Sequence, residues 1–152
     1  MVVGQSGVGK THLAQALAHE ALRKGYDVLF VAAHQLVGHL AAGRADDTYD
    51  RRLAGYLRPD LLIIDDFGLK PLPATGPSDI YDVIDGRYEQ GSIVLTSNRA
   101  PAEWLDWLGD ALLASATLDR LGHDAYVLTI TGESYRRPFR SAAKEAPIAQ
   151  PT

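Results

Sequence analysis

Eight residues close to the start of the chain have the types and spacing needed to hold phosphate groups. They match the pattern G-x-x-x-x-G-K-[ST], in which glycines let successive backbone N–H groups point inward at phosphate oxygens. The helix expected to follow adds its positive N-terminal end. The lysine is expected to reach the β- and γ-phosphates of a nucleotide, and the hydroxyl to bind Mg²⁺. The eight residues are Gly4, Gln5, Ser6, Gly7, Val8, Gly9, Lys10 and Thr11.

A second group of chemistry-bearing residues ends a continuous apolar run. Residues 61–64 are expected to form a strand, and Asp65 and Asp66 follow it directly. We assign Asp65 to Mg²⁺, held through water, and Asp66 to the attacking water, which it orients or deprotonates as a general base. Acidic pairs also end strands as ordinary polar turns. The pair alone is a weak indication of catalysis, and it becomes a strong one because the same chain contains a phosphate loop.

Two further polar residues and a basic cluster could complete a site for nucleotide chemistry. Asn98 follows the next apolar run and is expected beside Asp65, where its amide would hold the attacking water and touch the γ-phosphate; the alternative is a turn-forming asparagine. Arg120 lies near the end of a predicted helix, where the residues alone favour an interaction with the helix dipole. A basic cluster could meet phosphate or belong to a solvated tail. It contains Arg136, Arg137, Arg140 and Lys144.

Short apolar runs alternate with amphipathic segments along the chain, which indicates strands separated by helices. The runs are apolar on both faces, as is typical of parallel strands covered on both sides. Right-handed crossovers then predict a three-layer α/β/α sandwich with its ligand site at the carboxyl ends of the strands. The predicted strands are residues 1–3, 27–32, 61–64, 92–96 and 125–130, and the predicted helices are residues 11–24, 34–42, 47–57, 78–89, 103–108 and 110–121.

Length and composition exclude several classes of protein. The 152 residues suit one domain, and 46% apolar and 22% charged residues are ordinary globular values. The lack of cysteine excludes a disulfide scaffold, a thiolate zinc site and a cysteine nucleophile. No apolar run approaches the roughly 18 residues of a membrane span, and we expect no signal peptide, no membrane partner and a cytoplasmic location. A net charge of −4 excludes a chain that is basic overall, but not a local basic patch.

The first predicted strand is unusually short. The phosphate loop begins at Gly4, so three residues precede it, whereas strands usually contain five or six. Either the domain starts abruptly or the chain has lost its beginning. The second possibility leads to an alternative hypothesis, a truncated remnant that binds nucleotide without activity. A small-molecule kinase is another alternative, but no motif for an acceptor pocket supports it.

Five motifs occur in the order found in AAA+ ATPases, which are P-loop NTPases. They are the phosphate loop, LLIIDDFG at 61–68, TSN at 96–98, DRL at 119–121 and GESYR at 132–136. More narrowly, the phrases IIDDFGLKPL, YDVIDGRYEQGSIVLTSNRAPAEW and LASATLDRLGHDAYVLTITGESYR resemble the IstB-like transposition helper ATPases of insertion sequences, whose close relatives are the DnaC-like helicase loaders. The resemblance identifies residues 1–137 as an AAA+ core without the family's N-terminal partner-binding domain. Residues 138–152 remain as an expected disordered tail.

The resemblance implies a function and a set of partners. Members of this clade bind ATP with Mg²⁺, hydrolyse it to ADP and phosphate, and form ATP-dependent homo-oligomers on DNA. The partner is a cognate transposase in the IstB-like branch and the replicative helicase in the DnaC-like branch. Residues 33–57 correspond to a helical element that can face DNA, and its basic residues are Arg44, Arg51 and Arg52.

The resemblance also assigns a role to each matching residue. It places Arg120 at the arginine-finger position, acting in trans on a neighbouring subunit, which the residues alone did not indicate. The other assignments are Lys10 and Thr11 in Walker A, Asp65 and Asp66 in Walker B, Asn98 as sensor 1 and Arg136 as sensor 2. Together they imply an active site that is shared between two copies of the chain.

Overall fold

Strands and helices alternate through the computed structural model, which describes residues 1–136. Arg137 and the tail expected at 138–152 lie outside the described residues. The strands are β1 (Val2–Gly4), β2 (Val28–Ala32), β3 (Leu61–Phe67), β4 (Ser92–Ser97) and β5 (Leu128–Ile130). The helices are α1 (Lys10–Arg23), α2 (Ala33–Ala45), α3 (Tyr49–Leu57), α4 (Gly76–Arg87), α5 (Trp104–Leu108) and α6 (Ala111–Gly122), with a 3₁₀ turn at Pro101–Glu103.

The strands of the described residues form one parallel sheet in the order β2-β3-β4-β1-β5. The crossover from β1 to β2 runs across the sheet in the direction opposite to those that follow it. Because such crossovers are right-handed, α1 covers one face of the sheet and the later helices cover the other. This confirms the predicted three-layer α/β/α sandwich. No helix among residues 1–136 is both long and apolar enough to cross a membrane.

The core lies on both faces of the first part of β3, which explains the unbroken apolar sequence of residues 61–64. Ile63 packs with Ala14 and Ala18 of α1, whereas Leu62 and Ile64 belong to the larger cluster under the other helices. All five residues are buried. Successive residues of a strand point to opposite faces, so a strand covered on both sides must be apolar at every position.

The structure differs from the sequence prediction mainly at strand ends. The strand predicted at 61–64 continues to Phe67, because a bulge between Ile64 and Phe67 carries the two aspartates within the strand. The last strand is shorter than predicted and begins at Leu128. Helix α4 begins two residues earlier than predicted, at Gly76, with Pro77 in its first turn, where a missing N–H is tolerated.

A buried arginine stabilises the amino-terminal edge of β3 and β4. Arg87 is 1% exposed and ends α4. Its guanidinium donates to backbone carbonyls at the end of α3, in the α3–β3 connection and in β4, and no carboxylate accepts from it among the described hydrogen bonds. The accepting carbonyls are those of Tyr56 at 3.0 Å, Leu57 at 3.2 Å, Pro59 at 2.8 Å, Asp60 at 3.2 Å and Ser92 at 2.8 Å.

We predict that Arg87→Met lowers the free energy of unfolding by about 3 kcal/mol, since it leaves several buried carbonyls without donors. Urea denaturation followed by circular dichroism measures the loss. Arg23→Ala is the control, because the Arg23 side chain is 79% exposed and, among residues 1–136, pairs with Glu20 on the helix surface. Equal stability of the two variants would contradict the assigned role of Arg87.

Candidate nucleotide site

The phosphate loop connects the carboxyl end of β1 to the amino end of α1. Gly7 and Gly9 have φ angles of 86° and 97°, a region that favours glycine. Gly9 occupies the N-cap position of α1, and no side chain of the described residues caps the helix there. The first backbone N–H groups of α1 are therefore available to an anionic ligand.

Two glycines are required because other parts of the chain pass close to the loop. A Cβ atom at Gly4 would lie 2.2 Å from the carbonyl oxygen of Ile130, at the end of β5. A Cβ atom at Gly7 would lie 2.0 Å from the Oγ atom of Ser134. In addition, the Tyr135 N–H donates to the Gly7 carbonyl at 2.9 Å. The segment that follows β5 is thus packed directly against the phosphate loop.

Lys10 lies at the centre of the candidate site. Its ammonium group donates to the Gln5 carbonyl at 2.8 Å, and the residue is buried. Burial lowers the pKa of Lys10, the carboxylates of Asp66 and Asp65 act against this shift, and the charge of Arg136 adds to it. Lys10 therefore lies within electrostatic reach of both aspartates and of Arg136.

The Asp65 carboxylate is held by two hydroxyl groups. Thr11 Oγ1 lies 3.0 and 3.1 Å from its two oxygens, and Thr96 Oγ1 donates to Oδ1. Asp65 is buried at the end of β3, directly behind the phosphate loop. Sequence reasoning included Thr96 in the TSN motif at 96–98 but assigned no role to it.

Asp66 has an unusual backbone conformation. Its φ angle is 56°, in the left-handed region that aspartate tolerates better than most residues. Its N–H does not continue the ladder but donates to Thr96 Oγ1 at 3.1 Å. Unlike Asp65, Asp66 is only partly buried, so water can reach it.

Asn98 lies beside the phosphate loop, and the described residues show no hydrogen bond between it and Asp65. It borders a cavity of about 330 Å³ that is also lined by Gly4, Gln5 and Thr131. The position beside Asp65 is occupied by Thr96, two residues earlier on β4. Asn98 is exposed, so its amide is accessible to a ligand in this cavity.

Arg120 lies on the surface of α6, where it faces α4. Its Nε donates to Asp85 at 2.6 Å, and Nη1 donates to the Ala116 carbonyl at 3.1 Å. The guanidinium also lies 5.1 Å from the ring centroid of Tyr81. These contacts, all outside residues 4–11, do not place Arg120 at the phosphate loop of its own chain.

Two of the three arginines considered for DNA contact form internal ion pairs. Arg44 pairs with Asp79 at 2.7 Å and with Asp82 at 3.5 Å. Arg52 pairs with Asp46 at 2.6 Å and donates to the His39 carbonyl at 3.0 Å. These two side chains hold α2, α3 and α4 together, while Arg51 is exposed.

The comparison with protein families matches the IstB-like ATP binding protein family over residues 1–143. The chain belongs to this family. The ATP-binding protein of insertion sequence IS5376 from Geobacillus stearothermophilus is 39% identical to this IstB-like chain over 136 residues, which are 90% of this chain and 54% of that protein. The chain spans about half the length of the curated relatives it matches.

Solved structures confirm the fold of the IstB-like chain. The DnaC helicase loader matches with a TM-score of 0.72 and 26% identity, over 86% of this chain and 76% of that chain. AMPPCP-bound DnaA from Aquifex aeolicus matches with a TM-score of 0.70 and 25% identity, over 85% of this chain and 39% of that chain. Both are P-loop AAA+ proteins, so the expected AAA+ core is confirmed.

We predict that Gly7→Ala destabilises the chain more than Gly25→Ala. Both glycines have φ near 86°, so both substitutions are strained, by about 1–2 kcal/mol. Only at Gly7 does the new methyl group also collide with Ser134, whereas nothing lies within 4 Å at Gly25. Urea unfolding of both variants measures the difference.

The double variant Gly7→Ala/Ser134→Gly tests the cause of that difference. Removing the Ser134 side chain takes away the two closest atoms, and the nearest remaining atom, the Ser134 Cα, lies 3.3 Å from the new Cβ. Stability should recover in part. If it does not, the segment after β5 does not pack against the loop as described.

Proposed function

We propose that this chain binds ATP with Mg²⁺ and hydrolyses it, as a helper ATPase that assembles on DNA and assists the transposase of an insertion sequence. The observation that carries the proposal is the contact between Thr11 of the phosphate loop and the Asp65 carboxylate, beside the buried Lys10. Membership in the IstB-like family supports ATP as the nucleotide.

The phosphate loop supplies the binding energy for ATP. Its backbone N–H groups and the amino end of α1 favour the triphosphate, and Lys10 exchanges the Gln5 carbonyl for phosphate oxygens. Charged donors in a buried site bind phosphate more strongly than neutral ones. Arg136, which is close enough to influence Lys10 electrostatically, adds a second cation at the same end of the site.

The oxygen donors of the site fit Mg²⁺. Thr11 and Asp65 place a hydroxyl and a carboxylate in contact at the base of the loop. No group of three or more histidine, cysteine, aspartate or glutamate side chains within residues 1–136 could hold a metal by itself. This suits an ion that keeps several waters and takes its other ligands from substrate phosphates. When bound, Mg²⁺ neutralises charge on the β- and γ-phosphates.

The partly buried Asp66 is the candidate for activating water. It follows Asp65 in the strand. Unlike the buried Asp65, it has a left-handed backbone conformation and a partly exposed side chain. As general base it would accept a proton from the water that attacks the γ-phosphate, and Asn98 would orient that water from the neighbouring strand. Hydrolysis then yields ADP and phosphate.

We propose that Arg120 acts in a neighbouring copy of the chain. Its contacts with Asp85 and Ala116 keep it on the α4–α6 surface, away from its own loop. A cation there reaches a phosphate only if a second copy presents its loop to this surface. This supports an ATP-dependent homo-oligomer.

The DnaC-like alternative has a specific observation in its favour, the TM-score of 0.72 with the DnaC helicase loader. The family match and the insertion-sequence relatives favour the transposase instead. Capture of a transposase by the ATP-bound chain supports the proposal, and capture of a replicative helicase supports the alternative. A chain that binds nucleotide but neither hydrolyses it nor captures a partner would be the inactive remnant.

We predict that Lys10→Ala weakens binding of a fluorescent ATP analogue at least about tenfold, because a buried charged donor to phosphate is lost. Asp66→Asn should retain the wild-type affinity and lose about 10²–10⁴-fold in hydrolysis rate, because it removes the general base. Phosphate release and analogue titration measure the two effects.

Two controls match these variants. Lys24→Ala removes an exposed lysine from the other end of α1. Asp124→Asn changes an exposed aspartate whose φ of 53° resembles the 56° of Asp66. Both controls should behave as wild type. Full hydrolysis by Asp66→Asn would refute its role as base.

We predict that Arg120→Ala lowers hydrolysis by about 10³-fold or more without changing nucleotide affinity. An equal mixture with Lys10→Ala should recover part of the activity, since each subunit supplies what its neighbour lacks. Arg23→Ala, another exposed helical arginine, is the control. A mixture that stays inactive would show that Arg120 does not act across a subunit interface.

A further inference from the structure

A buried hydroxyl group on β4 lies between the two aspartates of the candidate site. Thr96 is fully buried, with no exposed surface. Its Oγ1 donates to Asp65 Oδ1 and accepts the Asp66 N–H at 3.1 Å. One side chain therefore touches both acidic residues, one through its carboxylate and the other through its backbone.

The β-bulge explains why a single residue can reach both. Ile64 pairs with Leu95, and Phe67 pairs with Ser97. Between these pairs β3 has two residues, Asp65 and Asp66, whereas β4 has only Thr96. Two residues opposite one is the arrangement of a bulge, which leaves a backbone group without its ladder partner. The Thr96 hydroxyl supplies that missing partner for Asp66.

The hydroxyl can make both contacts at once because of its hydrogen-bonding capacity. It has one proton to donate and two lone pairs to accept with. Since the Asp66 N–H must donate, the single Thr96 proton is directed to the Asp65 carboxylate. Thr11 donates to the same carboxylate from the phosphate loop, so Asp65 is oriented from both sides.

We propose that Thr96 is a positioning residue that sets the spacing between the carboxylate for Mg²⁺ and the carboxylate for water. It acts through Asp65 and Asp66 and does not itself touch the nucleotide. This inference rests on the proposed function, and it assigns to Thr96 a task distinct from that of Asn98, which lies at the loop.

The neighbouring residue on β4 offers a matched control. Ser97 is also buried, at 1% exposure, and carries a hydroxyl. It donates to the Phe67 carbonyl at 2.6 Å and accepts from Trp104 Nε1 at 3.2 Å and from the Arg99 N–H at 3.1 Å. Its partners are structural groups, so Ser97→Ala disturbs the same strand without releasing either aspartate.

The test compares Thr96→Val, Thr96→Ser and Ser97→Ala in the full chain. Valine keeps the branched shape of threonine without its hydroxyl, and serine keeps the hydroxyl. Binding of a non-hydrolysable fluorescent ATP analogue is titrated with Mg²⁺, and steady-state hydrolysis gives kcat and KM. Urea unfolding of each variant confirms that it is folded under the assay conditions.

For Thr96→Val we expect the Mg²⁺ midpoint to rise and kcat to fall, each by about 10–100-fold, with little change in KM. Binding of the analogue without Mg²⁺ should stay at the wild-type level. Thr96→Ser should restore both properties, and Ser97→Ala should lose stability while keeping the wild-type Mg²⁺ midpoint.

A wild-type Mg²⁺ midpoint and kcat in Thr96→Val would overturn the inference, as would an equal shift in Ser97→Ala. The proposed function fails separately. If the wild-type chain binds analogue and Mg²⁺ without hydrolysis, the hydrolytic proposal is wrong, and the Mg²⁺ midpoint still decides the role of Thr96. If the wild-type chain binds no nucleotide, both are wrong.

Discussion

The candidate site depends on the pairing of one three-residue strand. β1 lies between β4 and β5, with Val2 opposite Thr96 on one side and opposite Leu128 on the other. The register of this pairing fixes where the phosphate loop begins relative to the carboxyl ends of β4 and β5. The acidic pair is positioned through β4, and the Arg136 segment through β5. β1 therefore has a hydrogen-bonded strand on each side, although it contains only three residues.

Local patterns were sufficient to predict the parallel sandwich and the phosphate loop. Eight contiguous residues define the loop, and a strand buried on both faces must be apolar throughout, as residues 61–64 are. The expectation that Lys10 lies near Asp65 and Asp66 followed from placing strand ends at one edge, whereas that for Arg136 came from the family resemblance alone. That Asn98 lies beside Asp65 at this edge stays a prediction, and the hydroxyl that bonds Asp65 belongs to Thr96, two residues earlier.

Side-chain partners that lie far away in sequence could not be predicted. Arg87 has the ordinary appearance of a basic residue in the last turn of a helix, yet most of the carbonyls it binds lie 27 to 31 residues earlier in the chain. Similarly, the pairing of Arg44 with the buried Asp79 could not be read from the sequence. In both cases one member of the interaction is buried, Arg87 itself in the first and Asp79 in the second, and burial is a property of the folded chain.

The Arg87 contacts also bear on how the fold responds to acid. Backbone carbonyls do not titrate, and a guanidinium stays charged at any ordinary pH, so falling pH leaves these hydrogen bonds intact. The α2–α3 segment differs, because the Thr48 hydrogen bond and the Arg52 charge lower the pKa of Asp46. That contribution to stability is present above the unfolded pKa and is lost as pH falls through the folded one. Acid should therefore weaken the contact between Asp46 at the end of α2 and Arg52 of α3 before it weakens the contacts of Arg87 with the segment before β3 and with β4.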